Sequence, residues 1–258
     1  MLRISTVCLL IAFFATNAIS QSSFISSQLN YPRVANAFKE KEDSLKKQLK
    51  EIGINWPVKQ LYIRSFKYDS QLEVWVRNNN IEIFTLFKTY KVCALSGALG
   101  PKRFEGDYQV PEGFYFINAF NPNSNYHLSL GLNYPNASDK IKSNGIDPGG
   151  DIFIHGTCTT VGCIPLQNQQ IEELYVLSAH AYNGGQQFIP VHIFPIKFNN
   201  PKSEGVLQKM MNEDERYKAF VNKLKPVFDF FESNKKIPLI GINKKGDYEM
   251  LSATIQQP

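Results

Sequence analysis

Between Val58 and Ile196 the chain is a succession of short runs rich in β-branched and aromatic residues, parted by long stretches of Gly, Pro, Asn and Asp. The runs are LYIRSF, QLEVWVRN, IEIFTLFKTYKVCALS, EGFYFINAF (112–120), YHLSLGL (126–132), DIFIHG (151–156) and QFIPVHIFPI (187–196), with the asparagines at 78–80 as a turn. Such runs read as strands, and the intervening SGALGPKRFEGDYQVPEG and NYPNASDKIKSNGIDPGG as loops. One helical pattern interrupts them, at 168–185. The prediction is a mainly β fold of α+β class, largely antiparallel, with long loops of the kind on which sites are built.

Both flanks differ in character. Residues 1–20 carry Arg3, an apolar run from Val7 to Ala15 and small residues ending at Ser20, the pattern of a secretory signal whose apolar run is too short for a permanent membrane anchor. Its removal takes away one cation and no anion, lowering the formal net charge from +5 to +4. Acidic residues are interleaved with the lysines of 39–50 and of the last quarter, so these read as solvated helix faces and not as a nucleic-acid surface. Within 21–57, Val34, Ala37, Phe38, Leu45, Leu49 and Ile52 fall at helical spacing over 33–52 before Gly53 and Pro57. Beyond the 58–198 domain, the extension 199–258 reads as helices over 203–233 broken near Pro226, then a hairpin about Lys244 to Asp247.

Cleavage leaves Cys93, Cys158 and Cys163, an odd set for an exported chain, so at least one thiol is expected to be free. The segment IHGTCTTVGCIPL (154–166) holds two of them together with His155. A cysteine in a turn, close to an imidazole and to a following helix, has the ingredients of a reactive thiolate. The N–H of Cys163, with the permissive backbone of Gly162, supplies an oxyanion hole from the same segment. Two other readings stay open: zinc ligation by His155, Cys158 and Cys163, which lacks paired spacing and a fourth ligand, and a Cys158–Cys163 disulfide. Cys93, between Val92 and Ala94, reads as a buried small hydrophobe.

His155-Gly156 followed by Thr160-x-Gly162-Cys163 resembles the signature of the L,D-transpeptidase catalytic domain family (YkuD-type). The spacing of seven residues between His155 and Cys163 is similar to that of a short-spacer branch of the family acting on murein, as are the blocks GPKRFEGDYQVPEGFYFIN, NPNSNYHLSLGLNYPNASD and GGDIFIHG. Val161 stands where the family has a second histidine and Pro165 where it has Arg or Asn. The resemblance spans roughly 58–198 and implies a β-sandwich-like catalytic domain. It also implies a Cys163 nucleophile, His155 as base and then acid, the Gly156 carbonyl orienting the imidazole, and no metal or organic cofactor. Peptidoglycan stem peptides are the implied partner, in the periplasm or cell envelope, with wall-linked protein as a further one. The reaction is a transpeptidation through a Cys163 thioester, or in the alternative a hydrolysis: an L,D-carboxypeptidase, or an amidase releasing wall-linked protein. A non-catalytic wall-binding module is the reading from another class.

Further candidates for substrate contact are Lys102 with Arg103, able to pair with a stem carboxylate, Glu105, Glu112 and Tyr115 in the same block, and Thr160 of the signature. Each has a structural counterpart: solvated loop charge for the cations, loop structure or core packing for the others. His127, in an alternating pattern with Tyr126 and Leu128, reads as a satisfied strand histidine or as a second base. His180 and His192 read as structural.

Overall fold

The computed structural model describes residues 23–251, so the predicted signal segment lies outside the described residues. Ten strands form in chain order: β1 Gln60–Phe66, β2 Gln71–Arg77, β3 Thr85–Lys91, β4 Gly113–Asn121, β5 Ser129–Leu132, β6 Phe153–His155, β7 Ile164–Pro165, β8 Ile189–Phe194, β9 Leu239–Ile242 and β10 Tyr248–Leu251. Six helices accompany them among the described residues: α1 Phe24–Gln28, α2 Pro32–Glu51, α3 Ala137–Lys142, α4 Asn168–Asn183, α5 Pro201–Glu213 and α6 Glu215–Asn234.

Eight strands make one sheet, in the order β3-β2-β1-β8-β4-β5-β6-β7, and β9 and β10 make a separate hairpin. The class is the sheet-dominated α+β expected from the sequence. The sheet is mixed, however, because β1 runs parallel to β8 and β6 parallel to β7. Alternation along each strand divides the core in two. Leu61 and Ile63 of β1, Leu72, Val74 and Val76 of β2, and Val191 and Ile193 of β8 share a core with Val34, Phe38 and Leu45 of α2 and Ile171, Leu174 and Tyr175 of α4. On the opposite face Phe66 and Phe194 pack with Leu207 of α5 and with Val221, Leu224 and Phe228 of α6. Helices thus cover both faces, which is why β1 and β2 are buried almost throughout and show little polar alternation.

The break in the C-terminal helices falls at Asp214, not near Pro226. Asp214 is extended and its carboxylate accepts from the N–H groups of Arg216 and Tyr217, capping α6. Pro226 sits inside α6 on the exposed side, where water can satisfy the carbonyl that its missing N–H leaves unbonded. The run 126–132 also differs from expectation: only 129–132 is strand, and His127 stands in a turn with a φ of 71°.

Candidate active site

β6 and β7 are the short parallel pair at one end of the sheet, with Ile154 opposite Ile164 and His155 opposite Pro165. Ile154, Ile164 and Leu166 point into the core, so the alternate positions face the other way. One residue back in the same register, Cys163 lies beside Phe153, whose N–H donates to Cys163 Sγ at 3.4 Å. Paired positions of neighbouring strands share a face, which sets Cys163 and His155 on one side of the sheet. Cys163 is free and partly buried, and its Sγ–H donates to the Asp151 carbonyl at 3.6 Å. Burial pushes its pKa up, with the Phe153 N–H as the main opposing influence.

His155 is buried at the end of β6, with Nδ1 2.5 Å from the carbonyl oxygen of Gly156. A carbonyl only accepts, so Nδ1 carries the proton and Nε2 holds the free lone pair. Burial lowers the imidazole pKa against the pull of that hydrogen bond, keeping the ring neutral. The Tyr126 ring covers it, with centroids 4.7 Å apart and planes inclined at 34°. Gly156 has no room for a side chain, since a Cβ there would lie 2.7 Å from Asn168 Oδ1 and 2.9 Å from His127 Cβ.

The connection from His155 to Cys163 is fixed at three points. Asn168, opening α4, accepts from the Thr157 N–H at 2.9 Å. Thr160 Oγ1 donates to the Cys163 carbonyl at 2.9 Å and accepts from the Gly162 N–H at 3.1 Å. The third tie corrects the reading of Cys93, which is no isolated hydrophobe: it forms a disulfide with Cys158. Cys93 follows the edge strand β3, and its N–H donates to the Pro165 carbonyl at 3.1 Å, so β3 curls round to meet the end of β7. Cys158, lying between His155 and Cys163, is thereby pinned, and neither a Cys158–Cys163 bridge nor a shared zinc is compatible with that pairing. Gly162 adopts a φ of 140°, and a Cβ there would come 3.1 Å from the Gln109 carbonyl oxygen. The Gly162 N–H is taken by Thr160, whereas the Cys163 N–H has no acceptor among the described residues.

The side chains of the remaining predicted residues, Glu105 apart, are already engaged. Lys102 is buried, its ammonium 2.6 Å from Asp107 and donating to the Phe104 carbonyl at 2.8 Å. Its charge still reaches Cys163, where it favours the thiolate. Arg103 pairs with Asp139 at 3.3 Å. Tyr115 is buried and donates to Asp139, while Glu112, fully buried, holds Lys67 at 3.1 Å. Glu105 is exposed, its backbone N–H donating to the Asp147 carbonyl. His127 Nε2 meets Glu172 at 2.7 Å. Sequence reasoning missed Tyr126, Asn168 and Glu172, which carry no motif; Asn168 alone had a signal, as the polar residue opening the α4 pattern. A cavity of about 730 Å³ lies between residues 99–103 and the α5–α6 pair and includes neither Cys163 nor His155. No three His, Cys, Asp or Glu side chains gather as a metal site among the described residues.

Structures with similar topology are the helical cell shape determining protein Pgp2 of Campylobacter jejuni, 20% identical over 81% of this chain and 84% of that one with a TM-score of 0.41, and Bd1075 of Bdellovibrio bacteriovorus, 19% identical over 72% and 78% with a TM-score of 0.39. YafK of Escherichia coli (strain K12), provisionally named an L,D-transpeptidase, is 33% identical over 184 residues, 70% of either chain. The profile of the L,D-transpeptidase catalytic domain, YkuD, matches residues 65–193, and the chain belongs to that family.

Proposed function

We propose that the protein is a cysteine L,D-transpeptidase acting on peptidoglycan stem peptides, with Cys163 as nucleophile and His155 as base. The observation that carries this reading is the tautomer imposed on His155. Its Nδ1–H is committed to the Gly156 carbonyl, which leaves a neutral Nε2 as proton acceptor on the face of the sheet that also bears the one free thiol among the described residues.

The burial of both groups favours a neutral thiol beside a neutral imidazole at rest. The Cys163 proton then passes to His155 Nε2 as the sulfur turns from the Asp151 carbonyl to attack the carbonyl carbon of the third stem residue. The Cys163 N–H, having no acceptor of its own, donates to the oxyanion, and the kinked backbone of Gly162 sets its direction. His155 returns the proton to the departing amine of the terminal D-amino acid, leaving a Cys163 thioester. An amine of a second stem resolves it, again deprotonated by His155. Residues 1–20 direct the chain to the periplasm or cell envelope, where this polymer lies.

Intact-protein mass spectrometry tests the reading. The mature enzyme is expected to gain an acyl adduct from stem tetrapeptides, to lose it on Cys163→Ala, and to yield cross-linked dimers. Release of the D-amino acid without dimers would assign the resolving step to water, and release of wall-linked protein would assign an amidase. Absence of any Cys163-dependent product would leave a wall-binding module.

A further inference from the structure

The helix α2 ends before residue 65, where the family match begins, yet it touches the turn that covers His155. The guanidinium of Arg33 donates through Nη1 to the Ser124 carbonyl at 2.7 Å and also to the His127 carbonyl. About two turns along the helix, the Lys41 ammonium lies 3.1 Å from Glu172 Oε2, and the other oxygen of that carboxylate holds His127 Nε2 at 2.7 Å. Both pairs are largely buried, with side-chain exposures of 15%, 10% and 22% for Lys41, Glu172 and His127, so solvent screens them less than it would a surface pair. The turn they hold is a strained one. His127 has a φ of 71°, a left-handed conformation that a non-glycine residue keeps only where its surroundings over-determine it. Between the two anchored residues stands Tyr126, with its N–H on Ser124 Oγ at 3.0 Å and its ring on the imidazole of His155. The same turn abuts Gly156, whose carbonyl sets the tautomer: a Cβ at Gly156 would be 3.0 Å from the Tyr126 carbonyl oxygen.

We propose that α2 is a positioning element of the active site: Arg33 and Lys41 clamp the Ser124–His127 turn so that Tyr126 covers His155 and holds its ring against the Gly156 carbonyl. Nothing else among the described residues ties the Tyr126 ring down, since it is 46% exposed and its hydroxyl has no protein partner. Tyr126 is therefore a positioning residue that acts through His155, and the rest of its ring is left open to solvent. The imidazole's titratable neighbours are Cys163, across the strand pair, and the Tyr126 phenol; no charged group contributes to its depressed pKa. The His127 ring is taken up by Glu172.

The catalytic consequence rests on the proposed Cys163–His155 chemistry, whereas the clamp itself does not, and two readouts separate them. The first is the NMR titration of His155 in the full mature chain, which needs no substrate. Tyr126→Ala uncovers the ring and is expected to move its pKa up toward the ordinary histidine value, Tyr126→Phe to leave it in place, and Arg33→Met to reproduce the shift of Tyr126→Ala from a distance. Arg33 and Tyr126 are both exposed, so these variants are expected to fold, and thermal unfolding checks that they do. The second readout is the rate of thioester formation with a stem tetrapeptide. It should fall roughly tenfold or more in Tyr126→Ala and in Arg33→Met, as expected for a misoriented base, with the acid limb of the rate profile moved to higher pH and Tyr126→Phe near the wild type. A loss of thermal stability in Arg33→Met with an unmoved His155 titration would mean that α2 only buttresses the fold, and the proposal would fall. Moved titrations in a protein that forms no Cys163 adduct would uphold the clamp and overturn the assigned reaction instead.

Discussion

His155 and Cys163 have pKa values displaced in opposite directions, each away from the ion pair that many cysteine enzymes keep at rest. The sign of the pH dependence follows. On the proposed mechanism attack needs a neutral His155, so activity should be lost as the ring protonates, and a pKa held below the ordinary value of about 6.5 should keep the acid limb of kcat/KM below that pH. The buried thiol predicts that alkylation of Cys163 by iodoacetamide goes on rising beyond the ordinary thiol pKa of about 8.5. A plateau already at neutral pH would show a resting thiolate and replace the neutral pair. His155→Gln removes the base but retains most of the volume, and the acylation rate should fall by roughly a hundred- to ten-thousandfold. At Gly162 the φ of 140° and the Gln109 carbonyl both exclude a side chain. Gly162→Ala is expected to slow acylation by re-aiming the Cys163 N–H while leaving alkylation of the thiol nearly unchanged; equal losses in both would mean that the whole turn has collapsed.

At the scale of elements, the 155–163 connection is held by partners far away in sequence. The Cys93–Cys158 bridge spans 65 residues and joins the end of β3 to the loop between β6 and β7, at opposite ends of the strand order. Closing a loop of that length removes about 4 kcal/mol of unfolded-chain entropy on the simplest account. Replacing both cysteines by alanine should lower the melting temperature by several degrees or more and slow acylation, with dithiothreitol lowering that of the wild type and not that of the variant. Insensitivity of the wild type to the reductant would show that the bridge contributes nothing. This bridge also marks where sequence legibility stopped. The strands of 58–198 other than β7, with α2, α4 and the closing hairpin, follow from periodicity and turn residues, and His155, Gly162 and Cys163 from one dense segment; α3, in a stretch read as loop, does not. The partner of Cys158 could not follow, because pairing depends on β3 curling round to β7, a fact of topology and not of spacing. Alternation over 126–132 places Tyr126 and His127 in a strand, whereas contacts from Arg33 and Glu172 hold His127 in a turn instead. The break at Asp214 instead of Pro226 has the same character: a good cap outweighed a proline that could face water.

Over the whole molecule, the C-terminal extension is joined to the sheet through a buried charge. Arg64, 1% exposed on β1, donates to Glu73 of β2 at 2.6 and 3.0 Å and meets Glu232 of α6 at 2.7 Å. Its guanidinium lies among the rings of Phe66, Trp75, Phe228 and Phe231, between 4.6 and 5.3 Å from their centroids. Lys197 and the Trp75 indole N–H complete the coordination of Glu73, and the cations hold both carboxylates low in pKa against the cost of their burial. Half the aromatic cage comes from the sheet and half from α6, so the helix layer is part of the core and not an appendage on a finished domain. Taking one partner from such a network weakens the others: Arg64→Met should cost about 3 kcal/mol, seen as an early unfolding transition, because buried Glu73 would keep Lys197 alone and Glu232 only Lys235. Adding Glu73→Gln and Glu232→Gln to Arg64→Met removes the stranded charges and should recover a large part of that loss. If the triple variant is as unstable as the single one, the guanidinium matters as a packing element between four rings, and the extension is held by aromatic contact alone.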